Sequence, residues 1–257
     1  MSDAPRIERV RHELKRRTLS VSRVEKIAPQ MVRVMLSGDE LRGFTSLGFD
    51  DHIKLFFAPT VGDATAHSEM RDFTPRRYDA QTNTLTIDFF LHASGPAATW
   101  ATQATAGQSL LIAGPRGSAV ISLEGIDAHV LIGDETALPA ISRRLEELPA
   151  EARALVVFEH DAGSTWPALE SRAKLDVISV ARDGTIDPPA HAVIAALRNL
   201  AFPAGDSFVW VGVESRAARA IRRYLREERN IDKRWIKAAG YWQRGTVGSH
   251  DKTADEE

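Results

Sequence analysis

The chain has 257 residues, a formal net charge of -2 at pH 7 and no cysteine. This length suits one large domain or two ordinary ones, and the small net charge gives no general attraction to nucleic acid or to a membrane surface. Without cysteine, disulfides, zinc–thiolate sites and cysteine-ligated iron–sulfur clusters are excluded, so any redox role needs a bound cofactor. The charged start and the absence of a long apolar run predict a cytoplasmic protein whose ends, residues 1–14 and 247–257, are mobile.

The first half of the chain has the pattern of short β-strands separated by turns. These segments are rich in β-branched and aromatic residues: LSVSRVEKI, QMVRVMLSG, HIKLFFAP, NTLTIDFFLHA and AGQSLLIAGPRGS. The segment PAATWATQA alone has a helical pattern in this half. Many short strands joined by turns predict an antiparallel β-barrel or sandwich for residues 15–123.

From residue 124 onward, strands and helices alternate. The predicted strands are HVLIG, ALVVFEH, KLDVISV, SFVWVGV and WIKAAGYW, and the predicted helices are LPAISRRLEEL, AHAVIAALRNL and SRAARAIRRYLREER. The strands are almost wholly apolar, as in a parallel sheet that helices cover on both faces. Residues 124–246 are therefore predicted to form a doubly wound α/β domain after the barrel.

Two strand–turn–helix segments are candidate phosphate sites, because the first amides of a helix are free to bind an anion. In VLIGDETALPAI the strand runs through Gly133 into Asp134 and Glu135. Acids do not attract phosphate, so this segment taken alone favours a capped helix start that suits the helix dipole. In DFFLHASGPAATW, Gly95 and Pro96 open the helix in the same way, and an ordinary structural turn explains them equally well.

The stretch RDFTPR, residues 71–76, adds a more specific signal. It resembles the Arg-x-Tyr-Thr-x-Arg flavin motif of siderophore-interacting proteins, which are bacterial ferric-siderophore reductases of the ferredoxin-reductase-like superfamily. Further segments are similar to that family in order and spacing over residues 15–246: DDHIKLFFAP, DFFLHASGPAATWA, AGPRGS, IGDETALPAI and GYWQRG. The resemblance implies an FAD-binding β-barrel followed by an NAD(P)H-binding domain, in agreement with the predicted elements.

The resemblance also implies roles for individual residues. Arg71 would neutralise an FAD phosphate, Phe73 would pack on the flavin or its ribityl chain, and Thr74 would hydrogen-bond the isoalloxazine edge. The remaining implied cofactor-binding residues are Asp88, Phe89, Phe90, His92, Gly95, Pro96, Ala97, Ala98, Thr99 and Trp100 in the barrel, and Gly133, Asp134, Glu135, Thr136, Ala137, Tyr241 and Trp242 in the second domain. Core packing is the alternative role for Tyr241 and Trp242.

Two positions depart from the family pattern. Phe73 stands where the family usually has Tyr, so a hydroxyl hydrogen bond worth about 1 kcal/mol would be lost. Ala98 stands where many members have Ser, although Thr99 could supply the missing hydroxyl. We therefore expect this chain to retain FAD less firmly.

The substrate implied by the resemblance is a ferric siderophore, which is often anionic, so a basic pocket beside the flavin is expected. Lys54 and Arg244 lie in family motifs and are the best candidates for this pocket. Arg116 is a third candidate, for which a solvated surface charge is the favoured interpretation. Electrons would pass through the flavin, so no catalytic acid, nucleophile or metal ligand is predicted.

The nicotinamide cofactor stays open between NADPH and NADH. Glu159 and Asp161 follow the second predicted strand of the α/β domain, where an acid often binds the ribose hydroxyls and disfavours NADPH. Arg216, Arg219 and Arg223 share one face of a predicted helix and could attract the additional phosphate of NADPH, although a solvated helix face explains them as well. The family resemblance favours NADPH.

Two other functions fit the same sequence. One is a general NAD(P)H-dependent flavin or ferredoxin-type reductase, and the other is a siderophore-binding protein without turnover. A nucleic-acid role would depend on the basic helix alone, without an aromatic stacking platform. The protein is expected to act as a monomer.

Overall fold

The structure is a computed structural model that describes residues 4–57, 69–91, 95–185 and 187–245. The chain divides into two compact units. The first, here called the β unit, comprises Glu8–Val120 together with Thr165–Ala168. The second, here called the α/β unit, contains Ile121–Ser164 and the chain from Leu169 onward, together with the residues up to Ile7.

The β unit is built from strands and one α-helix. Its described elements are β1 (Ile7–Arg11), β2 (Arg16–Ala28), β3 (Met31–Ser37), β4 (Ile53–Phe57), β5 (Glu69–Phe73), β6 (Arg77–Asp79), β7 (Thr84–Phe90), α1 (Pro96–Gln103), β8 (Ser109–Ala113) and β9 (Gly117–Ile121), with a 3-10 turn at Asp39–Leu41. Within the described residues, β1 and β9 pair separately, and the other strands form one antiparallel sheet in the order β5-β4-β8-β2-β3-β7-β6.

This sheet has to curl. Its two outermost strands, β5 and β6, are joined by residues 74–76 alone, and three residues span only about 10 Å when fully extended. The opposite edges are therefore held close together, as in a half-barrel. Alternate side chains of each strand fill the inside of the curl: Ile53, Leu55 and Phe57 of β4 are all buried there.

The α/β unit alternates strands and helices. Its described elements are β10 (Ala128–Gly133), α2 (Leu138–Glu147), β11 (Arg153–His160), β12 (Lys174–Ala181), α3 (His191–Arg198), β13 (Ser207–Glu214), α4 (Ser215–Glu227), a 3-10 turn at Lys233–Trp235 and β14 (Ile236–Trp242). All strand pairs in this sheet are parallel, in the order β12-β11-β10-β13-β14. The order reverses between β10 and β13, which is where sheets of this kind commonly bind a ligand.

The central strands of this sheet are apolar because helices cover them, whereas the edge strand β12 is mostly exposed. Val130 and Ile132 of β10 join a buried cluster with Ile221 and Leu225 of α4. Leu131 lies between them in β10, is equally buried and points to the opposite face. Crossovers between parallel strands are right-handed, so α2, which steps towards β11, covers the face opposite α3 and α4.

The fold class predicted from the sequence is confirmed, but several strands were missed. β5, β6 and β9 contain Arg, Asp, Gly and Ser and are held by backbone pairing rather than by an apolar pattern. Ile7–Arg11, which lie within the segment 1–14 that the sequence analysis predicted to be mobile, form β1. This strand is mostly exposed, so burial leaves no periodic signal in its sequence.

Candidate functional site

In the β unit, the start of α1 has the features of an anion site. Its N-cap residue is Gly95 (φ 136°) and its first helical residue is Pro96. No side chain caps this helix and no acid lies in its first turn, within the part of the chain that the structure describes. Ala97 and Ala98 are buried and Thr99 is exposed, so the backbone amides form the polar surface at this end. His92 lies outside the described residues.

Arg71 is the cation of the predicted flavin motif. It is half-buried, it pairs with Glu69, and its guanidinium donates to the Met70 carbonyl oxygen at 2.8 Å. Its register partner on β4 is Leu55, whose side chain points into the sheet interior. The Arg71 side chain therefore leaves β5 on the same side of the sheet as that of Leu55.

Phe73 belongs to a cluster of four aromatic rings, with Phe57, Phe89 and Trp100. The Phe73 ring centroid lies 4.6 Å from that of Phe89 and 6.4 Å from that of Phe57. Trp100 of α1 packs on both neighbours, 5.8 Å from Phe57 and 5.6 Å from Phe89. Phe89 is buried in the core, so a cofactor contact at that residue would have to come from its backbone. Phe73 and Trp100 are only partly buried and can present a ring face.

Asp88 is buried and paired inside the protein. Arg33, its register partner on β3, donates to both carboxylate oxygens, at 2.7 and 2.8 Å. The Nε atom of Arg76, the second arginine of the RDFTPR stretch, lies 3.7 Å from the same carboxylate. Asp88 thus orders these two arginines, and its predicted contact with FAD would be indirect. Thr74 is buried, and Phe90 ends β7 half-buried.

Of the predicted basic residues in the β unit, Lys54 is not an isolated charge. Its ammonium contacts both carboxylate oxygens of Asp72 at 2.9 Å, and β4 pairs with β5 so that the two residues lie opposite each other. Arg116 is exposed, and its carbonyl oxygen accepts the backbone N–H of His12 at 2.9 Å.

In the α/β unit, Asp134 and Glu135 at the end of β10 face internal partners. The Asp134 carboxylate accepts the backbone N–H of Thr136 at 2.9 Å, the Thr136 hydroxyl, and the indole N–H of Trp242 at 2.7 Å. Burial raises the pKa of Asp134. Glu135 accepts from Arg182 and, at 3.1 Å, from the backbone N–H of Asp161. Any role of these acids in cofactor binding is therefore one of positioning.

Arg182 was not singled out from the sequence, yet several acids surround it. It follows β12, donates to Glu135 and to Asp161 (2.7 Å), and its Nε lies 3.5 Å from Glu159. Burial raises the pKa of Glu159 to about 7, although Arg182 opposes that shift. An arginine placed directly after the apolar run of β12 is the signal that could have revealed this residue.

Gly133 and Ala137 serve the packing of α2. A Cβ at Gly133 would lie 2.7 Å from Cδ1 of Ile141 and 2.9 Å from Cβ of Ala137. The glycine therefore lets α2 approach β10, rather than making room for a ligand.

The last strand contributes Tyr241 and Trp242. Tyr241 packs edge-on against the buried Trp210, with centroids 5.7 Å apart, which fits the core interpretation. Trp242 is held by Asp134, and the guanidinium carbon of the exposed Arg244 lies 5.8 Å from its ring centroid. Glu214 caps α4 by accepting from the amides of residues 216 and 217.

A cavity lies beyond the carboxyl ends of β11–β14. It is lined by Glu159, Arg182, Glu214, Arg216, Trp242 and Arg244, with residues 183–185 and 189–192. The predicted arginine stripe of α4 is divided, since Arg216 lines this cavity, Arg219 is exposed, and Arg223 lines a second cavity between α3 and α4.

Comparison with known proteins identifies this architecture. The model of the siderophore-interacting FAD-binding domain matches residues 20–67 and 62–119, and that of siderophore-interacting proteins matches residues 126–245. The chain belongs to the siderophore-interacting protein family. Among the residues that the structure describes, no helix is both long enough and apolar enough to cross a bilayer.

Relatives of this siderophore-interacting protein match almost its whole length. The NADPH-dependent ferric-chelate reductase of Escherichia coli is 37% identical over 94% of this chain and 99% of its own. The ferric vibriobactin reductase of Vibrio cholerae is 32% identical over 89% of this chain and 90% of its own. The crystal structure of a siderophore utilization protein from T. fusca has a TM-score of 0.84 and 36% identity, and covers 95% of this chain and 98% of that one.

The β unit of this family member fits FAD. The start of α1 offers uncapped amides for a diphosphate, Arg71 offers a cation, and Phe73 and Trp100 offer partly exposed rings. These residues would hold the cofactor. The ion pair between Arg33 and Asp88 would fix β3 and β7 relative to each other. The individual contacts remain predictions.

Proposed function

We propose that this protein is an NAD(P)H-dependent ferric-siderophore reductase that uses FAD. The observation that carries the proposal is the match with the Escherichia coli ferric-chelate reductase, which spans both units and nearly every residue of both chains. The cavity at the carboxyl ends of the parallel sheet supports NAD(P)H as the reductant.

The chemistry follows from the cofactor, and the chain's residues bind and orient. FAD, held by residues such as Arg71, Phe73 and Trp100, would convert the two-electron supply of NAD(P)H into the single electrons that ferric iron requires. One NAD(P)H therefore reduces two ferric ions and releases one proton. Ferrous iron has less charge than ferric iron, so the hard oxygen donors of a siderophore hold it less tightly and the metal is released.

In the α/β unit, Trp242 would form one wall of the NAD(P)H site, with Glu159 and Glu214 on the others. Arg244, which the sequence predicts as a siderophore-binding residue, lines the same cavity. Asp134 fixes the indole of Trp242, and Arg182 fixes the carboxylates of Glu135 and Glu159. This arrangement requires no acid, base or nucleophile at the reacting atoms.

The test is a visible spectrum of the purified protein under anaerobic conditions. NADPH or NADH is added, followed by a ferric siderophore and a dye specific for ferrous iron. We expect a flavin band that bleaches with the nicotinamide and returns as the ferrous dye forms. A flavin that bleaches but passes electrons only to other acceptors would indicate a general reductase. No flavin band after addition of FAD would overturn the proposal in favour of a siderophore-binding protein.

We also propose that the protein acts in the cytoplasm as a monomer, where imported ferric siderophores and NAD(P)H would both be available. Light scattering of the purified protein and fractionation of cells that express it test these two statements.

A further inference from the structure

One outward face of the β unit carries an ion pair near the β5 edge of the sheet. Ile53 and Leu55 point into the core, so Lys54 between them points outward, and Asp72 lies directly opposite on β5. The Lys54 ammonium contacts both Asp72 carboxylate oxygens at 2.9 Å. The Lys54 side chain is 40% exposed and that of Asp72 only 16%, so Lys54 is the more accessible partner of the pair.

The strand register extends this face from β5 across β4 and β8 to β2. Ala113 of β8 pairs with Lys54 and also with Arg16 of β2, so Arg16, Ala113, Lys54 and Asp72 form one row across the sheet. In the next row, Phe56 lies opposite Met70, which is 46% exposed. We call five residues of these two rows the Lys54 face: Arg16, Lys54, Phe56, Met70 and Asp72.

The Lys54 face can bind an apolar ligand that has a small negative charge. The guanidinium carbon of Arg16 lies 5.5 Å from the Phe56 ring centroid, which places a cation beside an apolar surface. Among these five residues there are two cations and one carboxylate, so the face has one net positive charge. Without the carboxylate it would have two.

Stability gives little reason for an acid at position 72, because ion pairs that are partly exposed contribute little to folding. An anionic oxygen that reaches Lys54 has to share the ammonium with a carboxylate that already occupies two contacts, and each additional negative charge on the ligand is repelled by Asp72.

We propose that Asp72 is a specificity-determining residue that limits the negative charge of the ferric chelates this protein accepts. The inference rests on the proposed reductase function, with Lys54 as a substrate cation. The preferred substrates are ferric chelates that are neutral or carry one negative charge, and strongly anionic chelates bind weakly.

The test uses gallium(III) chelates, because gallium has the charge and nearly the size of ferric iron and is not reduced. The holoprotein is titrated by calorimetry with a hexadentate tris-catecholate, which carries three negative charges, and with a neutral hexadentate tris-hydroxamate. We expect Asp72→Asn to change the ratio of the two Kd values by about tenfold in favour of the trianionic chelate, equivalent to about 1.4 kcal/mol. The kcat/KM values of the corresponding ferric chelates should change in the same direction.

Two variants serve as controls. Asp39→Asn removes the same charge from an exposed ion pair elsewhere in the β unit, with Arg42, and should leave the ratio unchanged. Lys54→Gln should change the ratio in the opposite direction to Asp72→Asn. If Asp72→Asn does not fold, Asp72→Thr is used instead, since Thr suits a strand.

The outcomes separate the two claims. If Asp72→Asn leaves the Kd ratio unchanged, the role of Asp72 is wrong, even when the wild-type protein reduces ferric chelates. If the wild-type protein reduces no ferric chelate, the proposed function is wrong, and the gallium titrations still report whether Asp72 selects by charge.

Discussion

The indole N–H of Trp242 donates a hydrogen bond of 2.7 Å to the carboxylate of Asp134 and so joins the carboxyl ends of β14 and β10. These strands are not neighbours, because β13 lies between them. A single contact thus fixes the end of the last strand against the end of the first strand of the parallel sheet. The same indole lines the cavity assigned to NAD(P)H.

Removal of this contact should destabilise the α/β unit. We expect Asp134→Ala to lower the free energy of unfolding by about 1–3 kcal/mol, because it leaves the partly buried indole N–H and the Thr136 amide without their acceptor. Urea denaturation measures the change. In a double-mutant cycle with Trp242→Phe, the two substitutions should be coupled by at least about 0.5 kcal/mol. Additive effects would show that the contact contributes nothing of its own.

Acid should weaken the fold through His129. This side chain is 1% exposed, and burial, with a smaller contribution from the charge of Arg144, lowers its pKa to about 3. Below about pH 6.5 the unfolded chain binds a proton at this position and the folded chain does not, so stability is lost as the pH falls from about 6.5 towards 3.

The size of this effect is measurable. For one such group, the free energy of unfolding should fall by up to about 1.4 kcal/mol for each pH unit in that range. Urea denaturation of the wild-type protein and of His129→Leu between pH 7.5 and 5 isolates the contribution, since the other titrating groups are common to both. Identical pH profiles for the two proteins would contradict the prediction.

Discrimination between NADPH and NADH should depend on pH through Glu159. With its pKa raised to about 7, the carboxyl is largely neutral at pH 6 and charged at pH 8. A negative charge on the cavity wall repels the additional phosphate of NADPH by about 1 kcal/mol at close range in water, or about fivefold in KM. The ratio of KM for NADPH to KM for NADH should therefore rise between pH 6 and 8.

The control for this measurement is Glu159→Gln, which keeps the shape of the side chain and cannot ionise. Because the cofactor phosphate titrates equally in both proteins, only the difference between the two pH profiles reports on Glu159. If the ratio rises equally in both, Glu159 does not face the phosphate.

Flavin retention should improve in Phe73→Tyr. The Phe73 ring is partly buried against Phe57 and Phe89, and a hydroxyl at its edge would restore a hydrogen bond worth about 1 kcal/mol. We expect the Kd for FAD to fall about fivefold, as measured by absorbance after equilibrium dialysis. Wild-type protein that keeps all its flavin through prolonged dialysis would show that the departure at residue 73 has no cost.

The sequence predicted the α/β unit well because its central strands, β10, β11 and β13, are buried on both faces. Apolar runs such as residues 130–132 and 209–211 have one structural interpretation between helical segments. Strands β5 and β6 gave no such pattern, because they lie at the sheet edges and expose polar side chains.

At the candidate site, the sequence analysis mainly missed the ion-pair partners that lie on other strands. Lys54 was singled out without Asp72, Asp88 without Arg33, and Glu159 without Arg182. Each missing partner lies 18 or more residues away along the chain and comes into contact through strand register or a shared sheet edge. Strand register and the set of residues that meet at a sheet edge cannot be deduced from local composition.

Residues 74–76, which join the outermost strands of the half-barrel, are all buried and directly follow Arg71 and Phe73 of the flavin motif. The segment that joins the edge strands of the curled sheet and the residues proposed to bind FAD are thus one continuous stretch of backbone, residues 71–76. Flavin binding and closure of the β unit should therefore be thermodynamically linked, so that FAD raises the melting temperature of this half of the protein. Iron reduction would then depend on the supply of FAD in two ways, because FAD would carry the electrons and would also stabilise the folded β unit.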